Sequence, residues 1–213
     1  MAVVDGGIGQ YLSGSIEGLV FVKGKYKTYM RFMPRERKAS EWSEKQKETR
    51  SGFKSVVRFA AKHKKKVVVP IWNKAAGDIN MSGYNLFVTA NRAAFDAQGN
   101  VGKPELLHFS TGALALPYRL WAEADAQNPQ SISVSWTDQL AGSANGDDCL
   151  MAVIYQNGDK GIVNTGFTRK EEKAILANPT PDAGEVYLYL FLWNKELDMY
   201  SEDQVFNIGL SDS

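Results

Sequence analysis

Cysteine is almost missing from this chain: Cys149 is the only one in 213 residues. That excludes an internal disulfide framework and suits a reducing compartment. Asp147-Asp148 precedes it and an apolar run follows, so Cys149 reads as a small buried hydrophobe. Histidine is nearly as scarce. His63 lies in a lysine run and His108 in an expected strand, so both read as solvated or core residues rather than ligands. No apolar run nears the ~18 residues of a membrane span. The opening residues MAVVDGGIGQYLSGS carry Asp5 and glycines where a secretory signal needs a basic start and an apolar stretch, so no signal is expected.

Catalytic patterns are missing too. Gly-Gly-Ile-Gly at 6–9 has a Gly-x-Gly shape, without the preceding strand, third glycine and downstream acid of a dinucleotide site. No nucleophile stands at motif spacing from a base. Glu171 and Glu172 belong to a charged turn, RKEEK. Asn145-Gly146-Asp147-Asp148 offers three oxygen-bearing side chains, short of the roughly six to eight oxygens that calcium takes, and such residues also serve turn geometry. The expectation is a non-enzymatic chain with no cofactor, metal site or small-molecule substrate.

What the chain does have is charge sorted by position. Residues 23–66 hold 16 of the 25 Lys and Arg against four acids, a net of +12. Residues 67–213 carry −9 and residues 1–22 carry −2, so the overall +1 hides a polarised molecule. Such a split points to a charged partner, or to copies meeting basic end to acidic end. The candidate contact residues are Lys23, Lys25, Lys27, Arg31, Arg35, Arg37, Lys38, Lys62, Lys64, Lys65 and Lys66. Three readings stay open. The stretch meets the acidic half of another copy or another acidic protein. It binds phosphate, with Tyr26, Tyr29, Phe32 and Trp42 available to stack on bases. Or it is a solvated face. The aromatics fall on the apolar side of the expected elements, which weakens the second reading.

Residues 1–14, with four glycines, read as a flexible arm, either disordered or ordered by contact with something else. Residues 15–33 alternate as a β-hairpin turning at Lys23-Gly24, with one basic face, and Pro34 ends it. Ser43 and Gln46 form a capping box for a helix striped by Trp42, Thr49, Phe53, Val56, Val57 and Ala60. Val67-Val68-Val69-Pro70 reads as a short extended run and Trp72 as an anchor. Ser82 caps a second helix, GYNLFVTANRAAFD. Six runs rich in β-formers follow: LLHFSTGALAL, SISVSWT, CLMAVIYQ, GIVNTGFTR, EVYLYLFLW and QVFNIGL. Turn clusters separate them, as in an antiparallel β-sandwich. The expected organisation is an arm over 1–14, a basic α+β domain over 15–112 (a β-hairpin plus two helices) and an acidic all-β sandwich over 113–213.

Several segments together look familiar: GSIEGLVFVKGKYKTYMRFMPRER, then Ser43, Gln46, Arg50 and Phe53 on a helix, SGYNLFVTAN, LLHFSTGALALP and YSEDQVFNIGL. This layout resembles a family of about the same length from Bacteroidota and their phages, known as a domain of unknown function. Ser82-Gly83-Tyr84-Asn85 and Ser201-Glu202-Asp203 carry the resemblance most. It implies no activity and transfers no functional residue. The C-terminal half also looks like an immunoglobulin or fibronectin-III sandwich, with Trp136 in an early strand, an architecture common among adhesion and assembly modules. The expected function is a multi-copy structural subunit of a phage virion or phage-like particle, joined by its N-terminal arm and complementary charge, and located in the virion or host cytoplasm. Its partners are other copies and other particle proteins, with no membrane. Nucleic-acid binding is the alternative, and a glycan-binding module using Trp121, Trp193 and Tyr200 the third.

Overall fold

Two local signals of the sequence survive intact in the computed structural model, which describes residues 2–4, 11–24, 27–35, 42–77, 79, 81–125, 127–138, 142–156, 158–178 and 185–208. Helix α1 (Glu44–Lys62) opens at Ser43, whose Oγ accepts from the Gln46 amide while the Gln46 side chain accepts from Ser43 N. Strand β6 (Ser131–Thr137) buries Ile132, Val134 and Trp136 and turns its serines the other way. The chain is mixed α+β, with a small N-terminal sheet, a helical layer and two further antiparallel sheets.

Val67–Pro70 is not extended. Lys64–Trp72 continues from α1 as π-helical turns, and Val68 N donates to the His63 carbonyl five residues back. Val67, Val68, Ile71 and Trp72 are all buried, at spacings of one and four residues that only a helix puts on one side. That burial outweighs the strand preference of three valines. Trp72 is the expected anchor, donating through Nε1 to the Phe109 carbonyl. α2 (Asn73–Ala75) and α3 (Gly83–Asn91) complete the layer, α3 being capped by Ser82.

The smaller C-terminal sheet has the order β5 (Tyr118–Ala124), β6, β9 (Lys173–Ala177). In the larger, β10 (Tyr187–Asn194) lies beside β7 (Cys149–Tyr155), with β8 (Asp159–Thr168) beyond. Along its other edge β10 pairs with β11 (Met199–Tyr200) and β12 (Gln204–Asn207). Strands β5 and β9 were not among the six expected runs, and 106–116 is no strand. Its polar groups bond instead to the Asn91 side chain, the Asp203 carboxylate and the Tyr200 carbonyl.

Ile132, Val134 and Trp136 meet Leu188, Leu190 and Leu192 of β10 in one hydrophobic cluster. Tyr189 and Phe191, on the opposite face of β10, join Val56, Phe87 and Phe109 in another. Burial on both faces is why YLYLFLW is apolar without alternation. The layers run helices, larger sheet, smaller sheet, and residues from both sides of position 112 share the second cluster.

The N-terminal sheet has the order β1-β4-β3-β2, formed by β1 (Ala2–Val4), β2 (Gly14–Ile16), β3 (Leu19–Lys23) and β4 (Thr28–Phe32). Three expectations change here. Ala2–Val4 of the supposed arm pairs with the chain's own β4, Ala2 opposite Met30. A further strand, β2, joins β3 through a tight turn at Glu17 (φ 45) and Gly18 (φ 82), the left-handed pair that matches strand twist. And the cations do not share a face. Lys23 stands opposite Thr28, whereas Arg31 stands opposite Val20, and cross-strand partners point the same way.

Candidate functional site

Register alone fixes which side chains the N-terminal sheet presents together. Ile16 pairs with Leu19, and Leu19 with Phe32. Phe21 pairs with Met30 in the next row. These five apolar residues therefore line one face, and none belongs to either hydrophobic cluster. Phe32 is 82 % exposed and Ile16 55 %, and Met33 just beyond is also exposed. The sheet borders the rest of the molecule where Gly24 and Tyr29 line an open cavity with Ala76, Ser82 and Asn85.

Of the expected contact residues, Lys23 shares this face and Arg31 stands on the other; both are exposed, as are Lys27 and Arg35, and Lys62, Lys64, Lys65 and Lys66 where α1 gives way to the π-helical turns. Lys25, Arg37 and Lys38 lie outside the described residues. The aromatics are not all inward. Phe32 and Tyr11 are exposed and Tyr29 is half-buried. Trp42 is half-buried with the Arg50 guanidinium 3.8 Å over its ring, a cation–π contact that occupies the ring face. Tyr26 lies outside the described residues.

A second constellation was invisible in the sequence. Asp203, its side chain 2 % exposed, accepts from His108 Nδ1 at 3.0 Å and from the Phe109 and Ser110 amides at 2.6 and 3.3 Å. Ser110 Oγ donates to the Ser201 carbonyl, and the Asn91 side chain grips the His108 backbone from both directions. A Cβ on Gly112 would overlap the Tyr200 carbonyl oxygen, so only glycine lets the two segments close. His108, Thr111 and Glu202 border a cavity of about 280 Å³ over Trp72. LLHFSTG and YSEDQ, two segments that carry the family resemblance, are thus one structural unit.

The hydrogen bond to Asp203 raises the His108 pKa above 6.5, with Asp203 and Glu202 charge adding to it and desolvation opposing. A folded pKa above the unfolded one stabilises the fold fully below about 6.5, and the gain disappears as pH rises through the folded pKa. Melting temperature is expected to fall as pH climbs from about 6 to about 8, and His108→Gln to flatten that slope. Equal slopes in both proteins would show that the pair contributes nothing.

The Asn145–Asp148 loop spends its oxygens internally. Asp148 accepts from Arg169 Nε, Asn194 Nδ2 and the Asn145 amide at 3.0, 2.7 and 2.9 Å, and Asp147 pairs with Lys170. Among the described residues no group of three or more His, Cys, Asp or Glu is placed to hold a metal ion. Cys149 is half-buried rather than buried. Trp193 and Tyr200 stack on each other at the β10–β11 edge, while Trp121 stands on β5, so the structure does not gather these three. No helix among the described residues is long and apolar enough to cross a membrane. No family model matches the chain, and no curated protein does.

Proposed function

We propose that this chain is a non-enzymatic structural subunit that works in many copies, joined through the apolar face of its N-terminal sheet and the cations around it. The carrying observation is that face: Ile16, Leu19, Phe21, Met30 and Phe32 share one side of a sheet and contribute to neither core. Ile16 and Phe32 are exposed on it, while Leu19, Phe21 and Met30 are half-buried, and exposed apolar side chains rimmed by polar residues mark interaction sites. The charge split favours unlike ends meeting, and such heterologous contacts build rings or filaments. A phage virion or phage-like particle is the setting in which we place it, in the virion or the host cytoplasm, within the family whose layout it resembles. The face-to-face C-terminal sheets are read as an immunoglobulin- or fibronectin-III-like module, an architecture used for assembly.

Light scattering coupled to size exclusion tests this. The mass of the wild-type chain is expected to rise with concentration, and Phe32→Glu to weaken association by about tenfold or more, the usual cost of losing an apolar anchor. A wild-type monomer at high concentration sinks the reading. Nucleic-acid binding is the second reading, favoured by one observation: exposed Phe32 shares its sheet face with exposed Lys23 and is free to stack on a base. It requires binding that weakens steeply between low and moderate salt, and no binding at low salt eliminates it.

A further inference from the structure

The loop at 145–148, whose oxygens are spent on its own bonds, has those bonds arranged for a different chemistry. Asn145 is exposed and Gly146 follows it. In such a pair the amide nitrogen of the second residue attacks the side-chain Cγ of the first. Glycine opposes this least, because it has no Cβ and leaves the backbone free to turn. Negative charge develops at the Asn145 carbonyl oxygen while the Gly146 nitrogen is deprotonated, and at Asn145 Oδ1 as the new bond forms. Both oxygens already accept a hydrogen bond. The Asp148 amide donates to the Asn145 carbonyl at 3.0 Å, and the Asp147 amide donates to Asn145 Oδ1 at 3.1 Å. Backbone donors fixed where an oxyanion develops lower the barrier without reorganisation. The Gly146 amide donates to no group among the described residues, so the nucleophile is not committed elsewhere. The adjoining carboxylates bring their own countercharges, Asp147 pairing with Lys170 and Asp148 with Arg169.

The geometry points to Asn145 as a site of spontaneous deamidation in the folded chain. Hydroxide takes the Gly146 amide proton, and the nitrogen bonds to Asn145 Cγ. The Cγ–Nδ2 bond breaks, and Nδ2 leaves as ammonia with a proton from water, which restores the hydroxide. The succinimide then takes up water at one of its carbonyls. It reopens as aspartate or, with the main chain now running through Cβ, as isoaspartate. The place of the reaction gives it a consequence. Asn145 N donates to Asp148 Oδ2 at 2.9 Å, and Lys170 N donates to the Gly146 carbonyl at 3.0 Å. An added main-chain atom between 145 and 146 pulls these bonds out of register, and Asp148 is the carboxylate that holds Nε of the buried Arg169. The chain carries a one-way timer set against its own Arg169 network, whatever its copies assemble into.

Ageing the intact chain at mildly alkaline pH, followed by peptide mapping with mass spectrometry, tests this. The peptide that holds Asn145 is expected to gain the mass of oxygen in place of NH and to split into two isomers, faster as pH rises. Asn128 precedes Pro129, which has no N–H to react, and serves as an internal blank. Gly146→Ala is expected to slow the conversion about fivefold or more. Its methyl would lie 3.4 Å from Lys170 Cβ, an ordinary contact at a φ open to any residue, so the variant keeps the fold. Molecules enriched in isoaspartate are expected to melt below unmodified ones. If Asn145 stays intact in the folded chain while a synthetic peptide of residues 142–148 converts, the fold protects the site and the inference falls. It falls equally if the Gly146→Ala protein ages as fast as wild type. An unchanged melting temperature in the isoaspartate form overturns the link to Arg169.

Discussion

Replacing Arg169 with methionine is expected to cost about 3–5 kcal/mol of unfolding free energy, the penalty for stranding a buried charge. The guanidinium is completely buried. Nε donates to Asp148 at 3.0 Å, Nη1 to Asp138 at 3.2 Å, and Nη2 to the Ala115 carbonyl. Its own carbonyl accepts from Trp136 Nε1 at 2.7 Å. One residue, through its side chain and its carbonyl, thus ties the end of β8, the segment before β5 and the loop before β7 to the indole of β6. Methionine fills comparable space but leaves Asp148, itself 1 % exposed, with Asn194 and one amide. The melting temperature of a chain this size should drop by roughly 10 °C. Adding Asp148→Asn should recover part of the loss, because the stranded charge goes with it. A shift in urea midpoint worth less than about 1 kcal/mol would mean that the network is solvated and unimportant.

Phe109→Ala is expected to cost a similar ~3–5 kcal/mol, and the shape of the transition matters as much as its position. The Phe109 ring has no exposed area and packs edge-on to Tyr189 of β10 at 4.8 Å, with Phe59 and His63 at 5.9 and 5.5 Å on the helical side. It bridges residues from both halves of the sequence. If the helices and sheets fold as one unit, the variant melts in a single transition shifted as a whole. Two steps, only the first displaced, would show that the helical layer is a separate domain.

Legibility followed distance along the chain. The α1 cap needs only Ser43 and Gln46, three residues apart, and the β6 pattern needs only its own alternation, so both could be read directly. The fold of 64–72 could not, because three valines carry a local strand preference and Pro70 disfavours a helix interior, and only the surrounding core overrides both. The cation face was misassigned because the register of β3 and β4, and so which of Lys23 and Arg31 pairs with which neighbour, is a property of two strands rather than one. Asp203 is 95 residues from His108, and nothing in either segment's composition announces the other. The outer face of the smaller sheet was half visible: the serines of β6 were legible, but Trp121 and Ile175 stand on β5 and β9, strands that the six β-former runs missed.

The burial of β10 on both faces sets an order of events at the ribosome. Val56, Phe87 and Phe109 are made long before Tyr189 and Phe191, the side chains against which the helical layer closes. Until the stretch 187–194 emerges, that layer has only half a core and shows its apolar face to solvent. A chain that stalls or is cut before β10 therefore exposes an unfinished core. Such fragments are good clients for chaperones and poor candidates for release as stable shorter products.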